Sequence, residues 1–109
     1  MSEDANPKHL KPILESYNPK IVLAHMGSYS ALQPGIWFDE ALNLMKKHEN
    51  VWADTSAAGP YILTKENIEK IRNTIGFERI LFGSDYPAVI GSNINYEIKQ
   101  IKENPYLTL

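Results

Sequence analysis

A chain of 109 residues, 43% apolar and 22% charged with a formal net charge of -2, has room for one domain and one modest core. That balance offers no basic face to nucleic acid or anionic lipid, and neither is expected as a partner. The absence of cysteine excludes disulfides, thiolate metal sites and a cysteine nucleophile, and it fits a reducing compartment. No apolar run reaches membrane-spanning length and the N-terminus has no apolar leader, so a soluble, cytoplasmic protein with no membrane contact is expected.

In chain order, Asn6-Pro7 reads as a helix N-cap with proline at the first helical position. Leu10, Ile13, Leu14 and Tyr17 follow as one apolar stripe, with Pro12 placed to disturb the first turn and Asn18-Pro19 ending the helix. Ile21-Val22-Leu23-Ala24 is a continuous apolar run, the pattern of a strand covered on both faces, and it ends in His25-Met26-Gly27-Ser28. A loop from Tyr29 to Ile36 leads to a helix whose Trp37, Phe38, Ala41, Leu42, Leu44 and Met45 form a broad apolar face. Lys46, Lys47 and His48 suit the dipole at its end.

Val51-Trp52-Ala53 is a second short strand, ending in Asp54-Thr55-Ser56, and 57–63 reads as a loop containing Gly59-Pro60. Thr64 caps the next helix, whose Ile68, Ile71 and Ile75 make a stripe that Gly76 closes. Arg79-Ile80-Leu81-Phe82 is a buried strand after one polar entry residue. Gly83 lets the backbone run close to a neighbour, and Pro87 cannot continue a ladder. A loop through Gly91 precedes a last helix with Ile94, Ile98 and Ile101, which Asn104-Pro105 breaks.

Strands alternating with helices of this length predict an α/β fold in which three parallel strands alternate with four helices through right-handed crossovers. His25, Asp54 and Asp85 fall at the carboxyl ends of successive strands, about thirty residues apart as in βα units. In parallel α/β folds ligands lie outside those ends. Imidazole and carboxylate there suit a divalent metal, zinc or manganese, or general acid–base chemistry. Each residue also has a plainer reading. His25 can be a hydrogen-bonded structural residue, Asp54 can cap the turn into Thr55-Ser56, and Asp85 can cap the loop before Tyr86-Pro87. His9 and His48, among charged helix neighbours, read as solvated. Tyr29, Trp37 and Tyr61 can line a pocket mouth, although core packing is the commoner fate of such rings.

Three segments, Lys20-Ile21-Val22-Leu23-Ala24-His25-Met26-Gly27, Val51-Trp52-Ala53-Asp54-Thr55-Ser56 and Arg79-Ile80-Leu81-Phe82-Gly83-Ser84-Asp85-Tyr86-Pro87, carry a resemblance in order and spacing. From about Asn6 onward the chain resembles the amidohydrolase-related metal-dependent hydrolases, in the branch that includes aminocarboxymuconate-semialdehyde decarboxylase. The resemblance implies a TIM-like (β/α)8 barrel of which these segments look like strands six to eight. It implies that Asp85 is a metal ligand and a partner in activating bound water, and that His25 acts near the metal as a ligand, general acid/base or polarising group. Asp54 matches a frequent seventh-strand position without an established chemical role, so it stays outside the catalytic set. The implied substrate is a small carboxylated or cyclic molecule, hydrolysed or decarboxylated.

The chain also departs from the family pattern. It has no His-x-His, the family's fifth-strand histidine has no counterpart, and a further C-terminal helix with an Asn-Ala element is absent. Residues 1–109 therefore read as a single α/β segment, the C-terminal part of such a barrel. Two ligands fall short of the three that a catalytic zinc takes, so the chain alone is expected to be inactive. Three strands leave two free edges and an uncovered face, so self-association is expected. A second reading is a non-catalytic association module that pairs with a separate half-barrel chain. A third, a flavodoxin-like binding domain, would want a glycine-rich phosphate loop, and residues 26–35 make a poor one.

Overall fold

The computed structural model describes residues 4–28, 35–85 and 93–107. A short 3-10 turn, Pro7–Leu10, leads into α1 (Lys11–Tyr17), followed by β1 (Ile21–Leu23), α2 (Phe38–Lys47), β2 (Val51–Asp54), α4 (Lys65–Thr74) after a single helical turn α3 (Gly59–Ile62), then β3 (Ile80–Leu81) and α5 (Ile94–Glu103). The three strands form one parallel sheet in the order β1-β2-β3. The four longer helices alternate with them, so the α/β architecture is the expected one.

The elements begin and end for local reasons. Asn6 Oδ1 accepts from the Lys8 N–H at 3.0 Å, and Pro7 follows it at a position that needs no donor. Pro12 then falls in the first turn of α1, so a 3-10 turn and a seven-residue helix stand in place of one continuous helix. Thr64 Oγ1 caps α4 through the Asn67 N–H, and Asn93 Oδ1 caps α5 through the Tyr96 N–H. Gly76, at φ +71°, turns the chain out of α4 with its N–H on the Ile71 carbonyl. The segment 57–63, expected as a loop, contains α3, where Pro60 occupies the first turn of a short helix.

The register defines two sheet faces. Leu23, Ala53 and Ile80 stand side by side on one face and are buried against α2 and α4 with Phe38, Ala41, Met45 and Ile71. Val22, Trp52, Asp54 and Leu81 share the other face, where Val22 is 50% and Leu81 43% exposed. The continuous apolar run predicts cover on both faces, and the described helices cover only one. Trp52 is half-buried, with Lys20 Nζ 4.9 Å above its ring. The third strand is also shorter than expected. Only Ile80 and Leu81 pair, and Phe82 is left partly buried.

Helix faces follow the predicted stripes unevenly. On α2, Phe38, Ala41, Leu42, Leu44 and Met45 are all buried, and Trp37 precedes them in the left-handed region and is buried too. Tyr61 packs edge-on against Phe38, ring centroids 5.9 Å apart, so both rings serve the core. On α1 only Leu14 is fully buried, and Ile13 and Tyr17 stand exposed. On α5 the expected isoleucine stripe points outward at Ile94 and Ile98, and Glu97 is the buried residue, facing Gly59. Of the predicted loops from Tyr29 to Ile36 and through Gly91, residues 29–34 and 86–92 lie outside the described residues. Among the described residues no helix is long and apolar enough to cross a membrane.

Arg79 locks the amino ends of β2 and β3. Its Nη1 donates to the carbonyls of His48 (3.0 Å) and Val51 (2.6 Å), and its Nη2 to that of Met45 (2.9 Å). One guanidinium thus ties the C-terminal turn of α2 to the start of β2 and the entry of β3, and neutralises carbonyls at the negative end of the helix. The Lys70–Asp39 pair at 3.0 Å raises the Lys70 pKa, first through its hydrogen bond and then through charge. With the side chains 39% and 69% exposed, solvent screening leaves it worth well under about 1 kcal/mol. The sign places that small gain below the ordinary lysine range wherever Asp39 is ionised, and it is lost as pH rises through the raised Lys70 value. Arg79→Ala is expected to lower the stability by about 1.5–3 kcal/mol and Arg79→Lys to recover only part of it, whereas Lys70→Ala changes it by about 0.5 kcal/mol or less. Urea unfolding midpoints at a constant slope measure both, and equal costs for Arg79→Ala and Lys70→Ala would contradict the assignment.

Candidate functional site

The three strand exits meet through backbone geometry. After β1 the chain makes a tight left-handed turn: His25 (φ 57°, ψ 33°) and Met26 (φ 55°, ψ 31°) lie in the left-handed region, and Gly27 follows at φ +75°. Two non-glycine residues there cost about 1–2 kcal/mol each. Met26 is fully buried, which returns about 1.5–3 kcal/mol. The Ser28 N–H closes the turn on the His25 carbonyl at 3.0 Å. Gly27 seats it against its neighbours, because a Cβ there would lie 2.7 Å from Ala41 Cβ and 3.0 Å from Pro7 Cγ.

Asp54, the last residue of β2, holds this turn from the next strand. Its Oδ1 accepts from the His25 N–H (3.0 Å), the Ser56 N–H (3.1 Å) and the Ser56 hydroxyl (2.5 Å). The bond to the Ser56 N–H is the turn cap expected of an aspartate in this position. The bond to His25 reaches across the sheet and makes Asp54 part of the site's frame. Ser56 in turn meets the His25 ring, with Nδ1 2.7 Å from its carbonyl and 3.0 Å from Oγ. A carbonyl can only accept, so Nδ1 carries the proton, and the neutral ring keeps the lone pair on Nε2. That is the nitrogen available to a metal, a substrate or a transferred proton.

The exit of β3 passes the same point. The Thr55 N–H donates to the Leu81 carbonyl at 2.9 Å, and a Cβ on Gly83 would lie 3.5 Å from Ser56 Cβ. Gly83 thus runs close to its neighbour as expected, at ordinary contact distance. Asp85 follows two residues later, partly buried and at φ 60°. His25 and Asp54 are joined directly, and Asp85 lies on the adjoining exit with no hydrogen bond to either among the described residues. A groove of about 510 Å³ opens beside β1, with Asn6, His9, Val22, His25 and Ser28 among its walls. Tyr29 and Tyr86-Pro87, singled out in the sequence, lie outside the described residues.

Among the described residues no group of three or more His, Cys, Asp or Glu side chains could hold a metal ion. His25 Nε2 and the Asp85 carboxylate have the right donor chemistry, but they are two where a catalytic zinc takes three. These residues do not fit such a metal by themselves. Ser56 is the site residue that the sequence reading leaves without a role. Its signal is the Asp-x-Ser spacing, in which a carboxylate at a strand end folds back on the residue two positions on.

Comparison with known proteins gives one finding. A family model described as Amidohydrolase matches residues 3–103. No curated protein and no solved structure gave a significant match.

The left-handed turn predicts unequal costs at two glycines of similar φ. Gly27→Ala adds a collision to the backbone strain and is expected to lose at least about 2 kcal/mol, whereas Gly76→Ala, with open space around its Cβ, loses about 1 kcal/mol from strain alone. Chemical denaturation of the two variants decides, and equal losses would contradict the packing of the turn.

Proposed function

Since this chain belongs to the amidohydrolase family, we infer that residues 1–109 are a single α/β segment, the strands resembling six to eight of a TIM-like barrel in the aminocarboxymuconate-semialdehyde decarboxylase-like branch. The complete site would hydrolyse or decarboxylate a small carboxylated or cyclic substrate. The observation that carries this reading is the meeting of three strand exits: His25 is bonded to Ser56 and Asp54, and Gly83 passes against Ser56 on the way to Asp85. Parallel α/β enzymes place their chemistry at that edge.

In this reading His25 is the acid/base group. With Nδ1–H tied to Ser56, Nε2 takes or returns a proton at the reacting atom without a change of ring orientation. Asp85 offers a carboxylate to a divalent metal, zinc or manganese, and the one free lone pair of His25, on Nε2, serves either the proton or such a metal, not both at once. Bound there, such a metal would supply an activated water and a polarised carbonyl. The remaining ligands come from polypeptide other than residues 1–109, and the chain alone is inactive.

The open sheet face favours a second part to the reading. Val22, Trp52 and Leu81 form an apolar strip that no helix among the described residues covers, between the outer strands β1 and β3. Such a surface is covered in a finished barrel, by a separate half-barrel chain, or by another copy of this one. The rival function is a non-catalytic association module that uses this face alone.

Two measurements test the proposal. The isolated chain, supplied with zinc or manganese, is expected to show no turnover of small carboxylated cyclic substrates and to gain it only when a half-barrel carrying the His-x-His strand is added. His25→Asn then lowers that activity by about 100-fold or more. Turnover by the chain alone, or an active mixture indifferent to His25→Asn, would contradict the assignment. Light scattering is expected to report dimers or larger species at high concentration and a shift toward monomer for Val22→Lys. A well-folded monomer of the parent chain at high concentration would contradict the association.

A further inference from the structure

We propose that Asp54 and Ser56 are positioning residues for His25, a relay that sets which nitrogen of the ring faces the site. This rests on the reading of His25 as the acid/base group and adds what holds it in that role.

Two independent features point there. The first is the strained turn. His25 and Met26 occupy consecutive left-handed conformations, which non-glycine residues keep only where the surroundings over-determine them. Asp54 Oδ1 accepts the His25 N–H from the neighbouring strand and so grips the turn at the residue whose side chain is aimed. An ordinary extended exit from β1 would carry the ring elsewhere, so the strain is the means of bringing it over Ser56.

The second is the direction of the hydrogen bonds. The Ser56 hydroxyl gives its proton to Asp54 Oδ1 at 2.5 Å, which leaves its lone pairs to the ring. The Ser56 carbonyl lies still closer to Nδ1, at 2.7 Å. Both groups can only accept from the imidazole, so the neutral ring is held as the Nδ1–H form. The Ser56 N–H bond to the same carboxylate oxygen fixes the peptide that presents this carbonyl. Asp54 therefore acts twice, on the backbone of His25 and on the acceptor that orients its ring, without touching the reacting atoms. A carboxylate behind a histidine commonly fixes ring and tautomer in this manner, and here a serine stands between them.

The test reads the ring directly. Two-dimensional 15N–1H spectra that correlate the ring nitrogens with the ring protons distinguish protonated from unprotonated nitrogen for each histidine, and at about pH 8 a histidine is largely neutral. In the parent chain His25 is expected to show a protonated Nδ1 and an unprotonated Nε2, unlike exposed His9. Asp54→Ala is expected to lose that distinction, giving averaged nitrogens. Asp54→Asn, which keeps Oδ1 as an acceptor, restores it, and Ser56→Ala keeps it through the carbonyl. Amide spectra of β2 and α4 report whether each variant is folded. A parent chain with the proton on Nε2 overturns the proposal whatever the variants do, and so does a folded Asp54→Ala with the parent signature. The signature needs no catalysis, so a His25 that holds it yet proves dispensable for turnover in the completed enzyme would sink the functional reading and leave this one standing.

Discussion

One carboxylate oxygen organises the functional end of this chain. Asp54 Oδ1 accepts three hydrogen bonds, two from Ser56 and one from the backbone of His25 on the neighbouring strand. Everything the site can do follows from that convergence. It closes the turn after β2, grips the strained turn after β1, and brings the imidazole onto the Ser56 peptide, beside which the chain leaving β3 passes. A charged acceptor with several donors is a strong anchor, because each bond is charge-assisted and the group is half-withdrawn from water. Arg79 plays the corresponding part at the other end of the strands, where one guanidinium gathers three carbonyls. One charged side chain thus pins each end of β2, Asp54 toward β1 and Arg79 toward β3, with apolar packing between.

Among the described residues the packing is one-sided. Leu23, Ala53 and Ile80 press into α2 and α4, while Val22, Trp52 and Leu81 face away from them. Burying one face of a parallel sheet leaves half of its apolar surface still to be covered, a strong drive toward further polypeptide. The same one-sidedness governs chemistry. A metal site built on strand exits needs ligands from several strands, and no group of three or more such ligands comes together among the described residues. Membership in the amidohydrolase family accords with motifs that are well formed on so short a stretch of sheet.

Much of this was legible in the residues. The alternation of elements, the parallel sheet, and the caps at Asn6, Thr64 and Gly76 follow from local chemistry that the fold leaves intact. That His25 and Asp54 come together was also readable, since residues one βα unit apart at successive strand ends are neighbours in space. What escaped depends on long-range packing. Apolar periodicity on α1 and α5 could not reveal that Ile13, Ile94 and Ile98 would be exposed, nor that Glu97 would turn inward against Gly59. An apolar strand looks alike whether one face or both are covered, so the exposure of Val22 was hidden. The left-handed conformation of His25 and Met26 has little local signal, because it is held by Asp54, the Ser28 N–H, the packing of Gly27 and the burial of Met26.

The proposed site requires that His25 and Asp85 address one point in space. Titration with Mn2+, whose paramagnetism broadens the NMR signals of nearby nuclei, tests this most directly on the chain as it is. Weak binding is expected, with partial occupancy that broadens the signals of His25 and Asp85 together and first and those of Asp54 and Ser56 after them. Broadening centred on the Glu49–Asn50 turn, or on one of the two residues with the other untouched, would contradict it.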